Sequence, residues 1–228
     1  MKQLVVVSAS LSENSSADRL GQALSGAVVE RAQAEVQVTH VSLRNLAHGI
    51  VDAMLTGFPG PELEAAFDAV AAADAVIAVT PAYNASYSGL FKSFWDVLPE
   101  ETMRGKPVAL GATGGTPRHS LITEHALRPM FSYLHAVVMP TALYVATEDF
   151  GHHAADSDAS GGATLNSRVA RAASELARYL MPATGAAVAD DAESNGAADP
   201  EPESGASEDA RDFFPDFRDF TQLQRARR

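Results

Sequence analysis

Three short stretches of this 228-residue chain carry side chains suited to gripping a small ligand. The first, Ser8 to Ser16, has five serines in nine residues and neither a glycine nor a lysine. Serine hydroxyls and the free N–H groups at a helix start can together hold a phosphate. The missing Gly and Lys exclude the dinucleotide fingerprint and the nucleotide-triphosphate loop. Ser and Asn also cap helices, but one serine suffices for that. The second stretch, Thr80 to Gly89, combines Pro81 with Tyr83, Asn84 and Tyr87. Such a turn can flank a flat heteroaromatic ring and present backbone groups to its polar edge, although an ordinary β-turn with surface aromatics has the same composition. The third, Gly111 to His119, contains the pair Gly114-Gly115, which lets backbone approach a ligand closely, with Thr113 and His119 as added donors.

The elements around these stretches decide whether they can meet. Leu4–Ser8 is a β-branched run and predicts a first strand; residues 14–33 have helical periodicity. Val36–Leu43 alternates as a second strand. Pro61 can open a helix running to about Ala73. Ala75–Thr80 and Pro107–Ala112 are continuous apolar runs, predicted as strands covered on both faces. Residues 88–98 predict a short helix, 119–135 a helix kinked or split by Pro129, 137–147 a fifth strand broken by Pro140, and 164–181 an amphipathic helix. The β-α alternation predicts an α/β three-layer sandwich with a five-stranded parallel sheet of order 2-1-3-4-5. Ligands of such sheets bind beyond the carboxyl ends of the strands, beside the switch point between strands one and three. All three stretches fall there.

Composition narrows the classes. The chain has no cysteine, which excludes disulfides, a thiol nucleophile and thiolate metal sites. A net charge of −12 disfavours nucleic acid as a partner. No apolar run is long enough to span a bilayer and no signal peptide is evident, so a cytoplasmic protein is expected. The acidity is uneven: residues 183–210 hold eight acidic side chains and no basic one, residues 211–228 carry +2, and −6 is left on residues 1–182. The middle segment, rich in Ala, Gly, Ser and Pro, is expected to be a disordered linker. Beyond it Phe213, Phe214, Phe217 and Phe220 form a tail that reads as mobile or as a docking peptide. His152-His153 with Asp156 and Asp158 lies in a loop-like composition rather than a metal site. His40, His48, His125 and His135 show no ligand spacing.

The stretches SASLSENSS (8–16), TPAYNASYSGLFKSFWD (80–96) and ATGGTPRHSL (112–121) resemble the NADPH-dependent FMN reductases of the flavodoxin-like fold, the likeness covering about residues 1–182. Its most specific part is Pro81, Tyr83, Asn84, Ser88, Gly89 and Lys92. More narrowly, the chain is similar to the FMN reductases that partner luciferase-like monooxygenases, which also end in a Phe/Pro-containing tail. The resemblance implies FMN and NAD(P)H as cofactors. It places Ser10, Ser12, Ser15 and Ser16 at the FMN phosphate, Pro81, Ala82, Tyr83, Asn84 and Ser86 along the isoalloxazine and ribityl, and Thr113, Gly114 and Gly115 on the ring's other side. It implies a homodimer or homotetramer built near the 88–98 helix. Many members carry Arg where this chain has Leu11, and Thr or Ser where it has Ala17, which implies a looser hold on the phosphate. Since transfer between nicotinamide and flavin is the cofactors' own chemistry, no catalytic acid or base is assigned; His119 is the one side chain that could act as one. An FMN-retaining quinone or azo reductase and a flavodoxin-like electron carrier are the alternatives.

Overall fold

The computed structural model describes residues 1–12, 15–150 and 164–181. The linker and tail expected over 183–228, and His152-His153, lie outside the described residues.

Strands β1 (Lys2–Ser8), β2 (Val36–Ser42), β3 (Ala75–Tyr83) and β5 (Pro107–Gly114) pair in parallel in the order β2-β1-β3-β5. The edge is completed by two short pieces, β6 (Val137–Val138) and β7 (Leu143–Ala146), both pairing with β5. Counted as one interrupted strand, they give the expected order 2-1-3-4-5. Pro140 makes the interruption, because it has no N–H for the ladder. The freed backbone groups find side-chain partners. Arg128 donates to the carbonyls of Met139 (3.1 Å) and Pro140 (3.0 Å), and Glu175 accepts from the Thr141 N–H (2.8 Å) and hydroxyl (2.6 Å).

Alternation along β1 divides the core. Leu4 and Val6 face α1 (Ser16–Arg31) and α6 (Leu165–Ala177), packing with Leu20, Leu24, Val28, Ala172 and Leu176. Val5 and Val7 face the other layer, made of α2 (Leu43–Thr56), α3 (Pro61–Ala72), α4 (Gly89–Val97) and α5 (Arg128–Tyr133). Every residue of Ala75–Thr80 and Pro107–Thr113 is buried, as strands sandwiched between two helical layers must be.

Two features depart from the sequence expectation. Residues 43–56 form a helix where none was expected; it follows β2 with no intervening loop. Its buried residues, Leu43, Ile50 and Ala53, do have helical spacing. The 119–135 helix is broken into a 3-10 turn (Pro117–His119), a π-turn (Thr123–Leu127) and α5. The Arg128 N–H reaches back to the Thr123 carbonyl, and the wider turn accommodates Pro129, which has no N–H to give. A further two-residue strand, β4 (Ser86–Tyr87), folds back antiparallel on β3.

Candidate functional site

The strand register brings the three chemical stretches to one rim: Ser8 lies beside Val79, Pro81 beside Thr113, and Gly114 beside Ala146. Between them is a cavity of about 400 Å³, within the usual range for small-ligand sites. It is lined by Ser10, Ser12, Ser15, Ser16, Pro81, Ala82, Tyr83, Thr113, Gly114 and Gly115, together with Ala17 and Thr147. No charged side chain lines it among the described residues.

The serines divide by role. Ser15 is the N-cap of α1: its Oγ accepts from the Asp18 N–H at 3.1 Å and donates to the Asp18 carboxylate at 2.9 Å. Ser8 donates to the other Asp18 oxygen at 2.6 Å. Ser10, buried, donates to the Ser12 carbonyl and accepts its N–H at 3.1 Å, closing the loop on itself. These three hydroxyls build the loop; Ser12 and Ser16 also line the cavity, and among the described residues no partner of their hydroxyls is seen. Beside them are the first N–H groups of α1, at the positive end of its dipole.

The second stretch is a hairpin. Ala82 pairs with Tyr87 and Tyr83 with Ser86, leaving Asn84 and Ala85 as its two-residue turn. Both turn residues have positive φ, 49° and 64°, the conformation required by the hairpin turn that matches strand twist. Asn tolerates it better than most residues, which accounts for Asn84. Asn84, in the turn, and Ser86, paired with Tyr83, are not among the residues lining the cavity. Behind the hairpin, buried Thr80 accepts the Ser88 N–H at 3.0 Å, and Ser88 caps α4 by accepting from the Phe91 N–H at 3.2 Å. Lys92 points to the surface, paired with Asp96.

In the third stretch the two glycines differ. A Cβ on Gly114 would lie 2.1 Å from the Tyr144 hydroxyl, so a side chain is forbidden there by the fold. A Cβ on Gly115 would meet nothing within 4 Å. His119 is exposed on its 3-10 turn and is absent from the cavity lining. Sequence reasoning missed Thr147. It follows directly on β7, so applying the strand-end rule to the fifth strand would have found it. Ala17, singled out above for its effect on the phosphate, does line the cavity.

A family model described as NADPH-dependent FMN reductase matches residues 1–150. The NADH-dependent FMN reductase SfnF of Pseudomonas putida is 36% identical over 154 residues, 66% of this chain and 81% of that protein. The FMN reductase (NADPH) of Escherichia coli K12 is 40% identical over 102 residues, 45% of this chain. The chain spans about half the length of that protein and of several other curated relatives. Among solved structures, an oxidoreductase from Corynebacterium diphtheriae superposes with a TM-score of 0.73 at 39% identity, covering 79% of this chain and 97% of that one. The apo form of an NADH:FMN oxidoreductase, EMOB, gives 0.66 at 27%, covering 78% and 89%. A flavodoxin-like WrbA protein from Agrobacterium tumefaciens, at 17% identity and 0.52, shares the fold.

Proposed function

The chain belongs to the NADPH-dependent FMN reductase family, and from that premise we propose that it binds FMN in the cavity at the strand ends and reduces it with NADH or NADPH. The reduced flavin then passes to a partner flavin-dependent monooxygenase of the luciferase-like kind. The observation that carries this reading is the meeting of a serine loop, a tyrosine hairpin and a glycine bend around one uncharged cavity of about 400 Å³. The donor set suits FMN. One end offers two hydroxyls and a helix N-terminus for a dianion; the other offers apolar walls and peptide groups for a flat ring.

In this reading Ser12, Ser16 and the first N–H groups of α1 hold the phosphate, while Ser10 and Ser15 shape the loop that presents them. Pro81, Ala82 and Tyr83 border one side of the ring system. Thr113, Gly114 and Gly115 border the other, where backbone N–H groups can stabilise negative charge on the pyrimidine edge. Bound flavin supplies the two-electron chemistry with nicotinamide. The chain's own work is to orient, to exclude water and to place dipoles. Dependence on NAD(P)H favours a cytoplasmic setting.

We also propose a homodimer. Val51, Met54, Leu55 and Phe58 are 51–80% exposed and cluster at the end of α2, which packs beside α4. An apolar group of this kind is typical of a surface covered by another subunit. Sedimentation of a monomer at micromolar concentration would remove that assignment.

The functional test is oxidation of NADH and NADPH with and without added FMN. Turnover that rises with free FMN is expected; flavin-independent turnover of a quinone by a protein that stays yellow would point to an FMN-retaining reductase instead. A Ser12→Ala, Ser16→Ala double variant should bind FMN about tenfold or more weakly, since a hydrogen bond to a charged oxygen contributes about 1.5–3 kcal/mol. Riboflavin, which has no phosphate, should bind both proteins equally. Equal FMN affinity for the two proteins in a fluorescence titration would remove the phosphate assignment.

A further inference from the structure

The geometry points to Tyr144 as a positioning residue: we infer that its phenol holds the Gly114–Thr116 bend in the shape that presents backbone N–H groups to the reduced flavin. This rests on the FMN reading above.

Tyr144 lies on β7, opposite Ala112 of β5, and is 8% exposed. The hydroxyl end of its ring lies against the bend. The hydroxyl donates to the Thr116 carbonyl at 2.6 Å, tying the far end of the bend to the edge strand. At the near end the hydroxyl occupies the space a Gly114 side chain would need; a Cβ there would sit 2.1 Å from the oxygen and 3.1 Å from the ring carbon bearing it. Gly114 is not among the residues with positive φ, so its backbone does not demand glycine; the phenol does. Burial, with Asp149 nearby, pushes the Tyr144 pKa up, which keeps the phenol a proton donor.

Tyr144 is itself fixed from α6. Arg168 donates from one guanidinium nitrogen to the Tyr144 carbonyl at 2.8 Å and from the other to Asp149 at 2.7 Å. Asp149 also accepts the Ala146 N–H at 2.7 Å. The chain 144–149, which includes cavity-lining Thr147, is thereby held against the sheet. A bend fixed before ligand arrives need not reorganise when charge develops beside it, and that saving is largest for the more charged, reduced flavin.

Tyr144→Phe removes only the hydroxyl. The expected result is a loss of FMNH2 affinity about fivefold greater than the loss of FMN affinity, read as a fall of about 20 mV in the bound-flavin midpoint potential for a two-electron couple. Gly114→Ala alone should weaken FMN binding at least tenfold and lower the melting temperature of the flavin-free protein. Adding Tyr144→Phe should restore part of both, because the 2.1 Å contact disappears. An unchanged potential in Tyr144→Phe, with wild-type affinities in both oxidation states, overturns the proposal. So does strict additivity of the two substitutions in melting temperature, a readout that needs no flavin. A wild-type protein with no affinity for FMN would instead sink the underlying reading, and this one with it.

Discussion

Gly115→Leu is expected to fold as the wild type does and to lose FMN affinity by roughly ten- to a hundredfold. A Cβ at Gly115 meets no atom within 4 Å, and its φ is not in the left-handed region, so the fold has no use for a glycine there. Exposed substitutions free of strain usually change stability by less than about 0.5 kcal/mol, which for a domain of this size is a melting shift of about 2 °C or less. Yet Gly115 lines the cavity, and a leucine would project four carbons from its rim. Overpacking of a fitted space costs about 1–3 kcal/mol, hence the predicted range in affinity. The pair of measurements discriminates. Lost affinity at constant melting temperature assigns the space to flavin. Retained affinity places the ring elsewhere, and a parallel fall in melting temperature would show that the glycine serves the fold after all.

Gly114 and Gly115 also mark the limit of what was legible in the sequence. As a pair they suggest close approach of backbone to a ligand, and both do line the cavity. Only the structure separates them, because the reason for Gly114 is a phenol thirty positions later, brought there by the pairing of β7 with β5. The strands were readable because strands covered on both faces become uninterrupted apolar runs, as at Ala75–Thr80. The helix after β2 was not, because Ser42 passes directly into Leu43 without a Gly or Pro to mark the change. Its Asn45, His48 and Gly49 are also weak helix formers. In the serine loop, residue type suggested an anion site, but the use of each hydroxyl depends on Asp18, which draws Ser8 and Ser15 to itself. At Asn84 the structure adds a reason for the residue type that polarity did not reveal, a φ of 49° in the hairpin turn.

The largest loss of stability is expected from Phe91→Ala. Phe91 is fully buried, with ring centroids 5.8 Å from Trp95, 6.2 Å from Phe131 and 6.2 Å from Tyr87. Trp95 in turn lies 4.8 Å from Phe131 and 5.1 Å from Phe94. The cluster thus joins the hairpin, α4 and α5. Truncating a buried Phe costs about 3–5 kcal/mol, which corresponds to a fall of roughly 6–20 °C in melting temperature. Phe91→Leu keeps much of the volume and should cost clearly less. The site should feel the change as well, because the Phe91 N–H is held by Ser88, and Ser88 is tied to Thr80 at the point where β3 reaches Pro81. A collapsing first turn of α4 would carry the hairpin, and with it one wall of the cavity, out of place. FMN affinity should therefore fall in Phe91→Ala even well below its melting temperature. Calorimetry and flavin titration on the two variants test the argument: a drop of under about 3 °C in Phe91→Ala, or full FMN affinity in a strongly destabilised protein, would separate the aromatic cluster from the site it is expected to support.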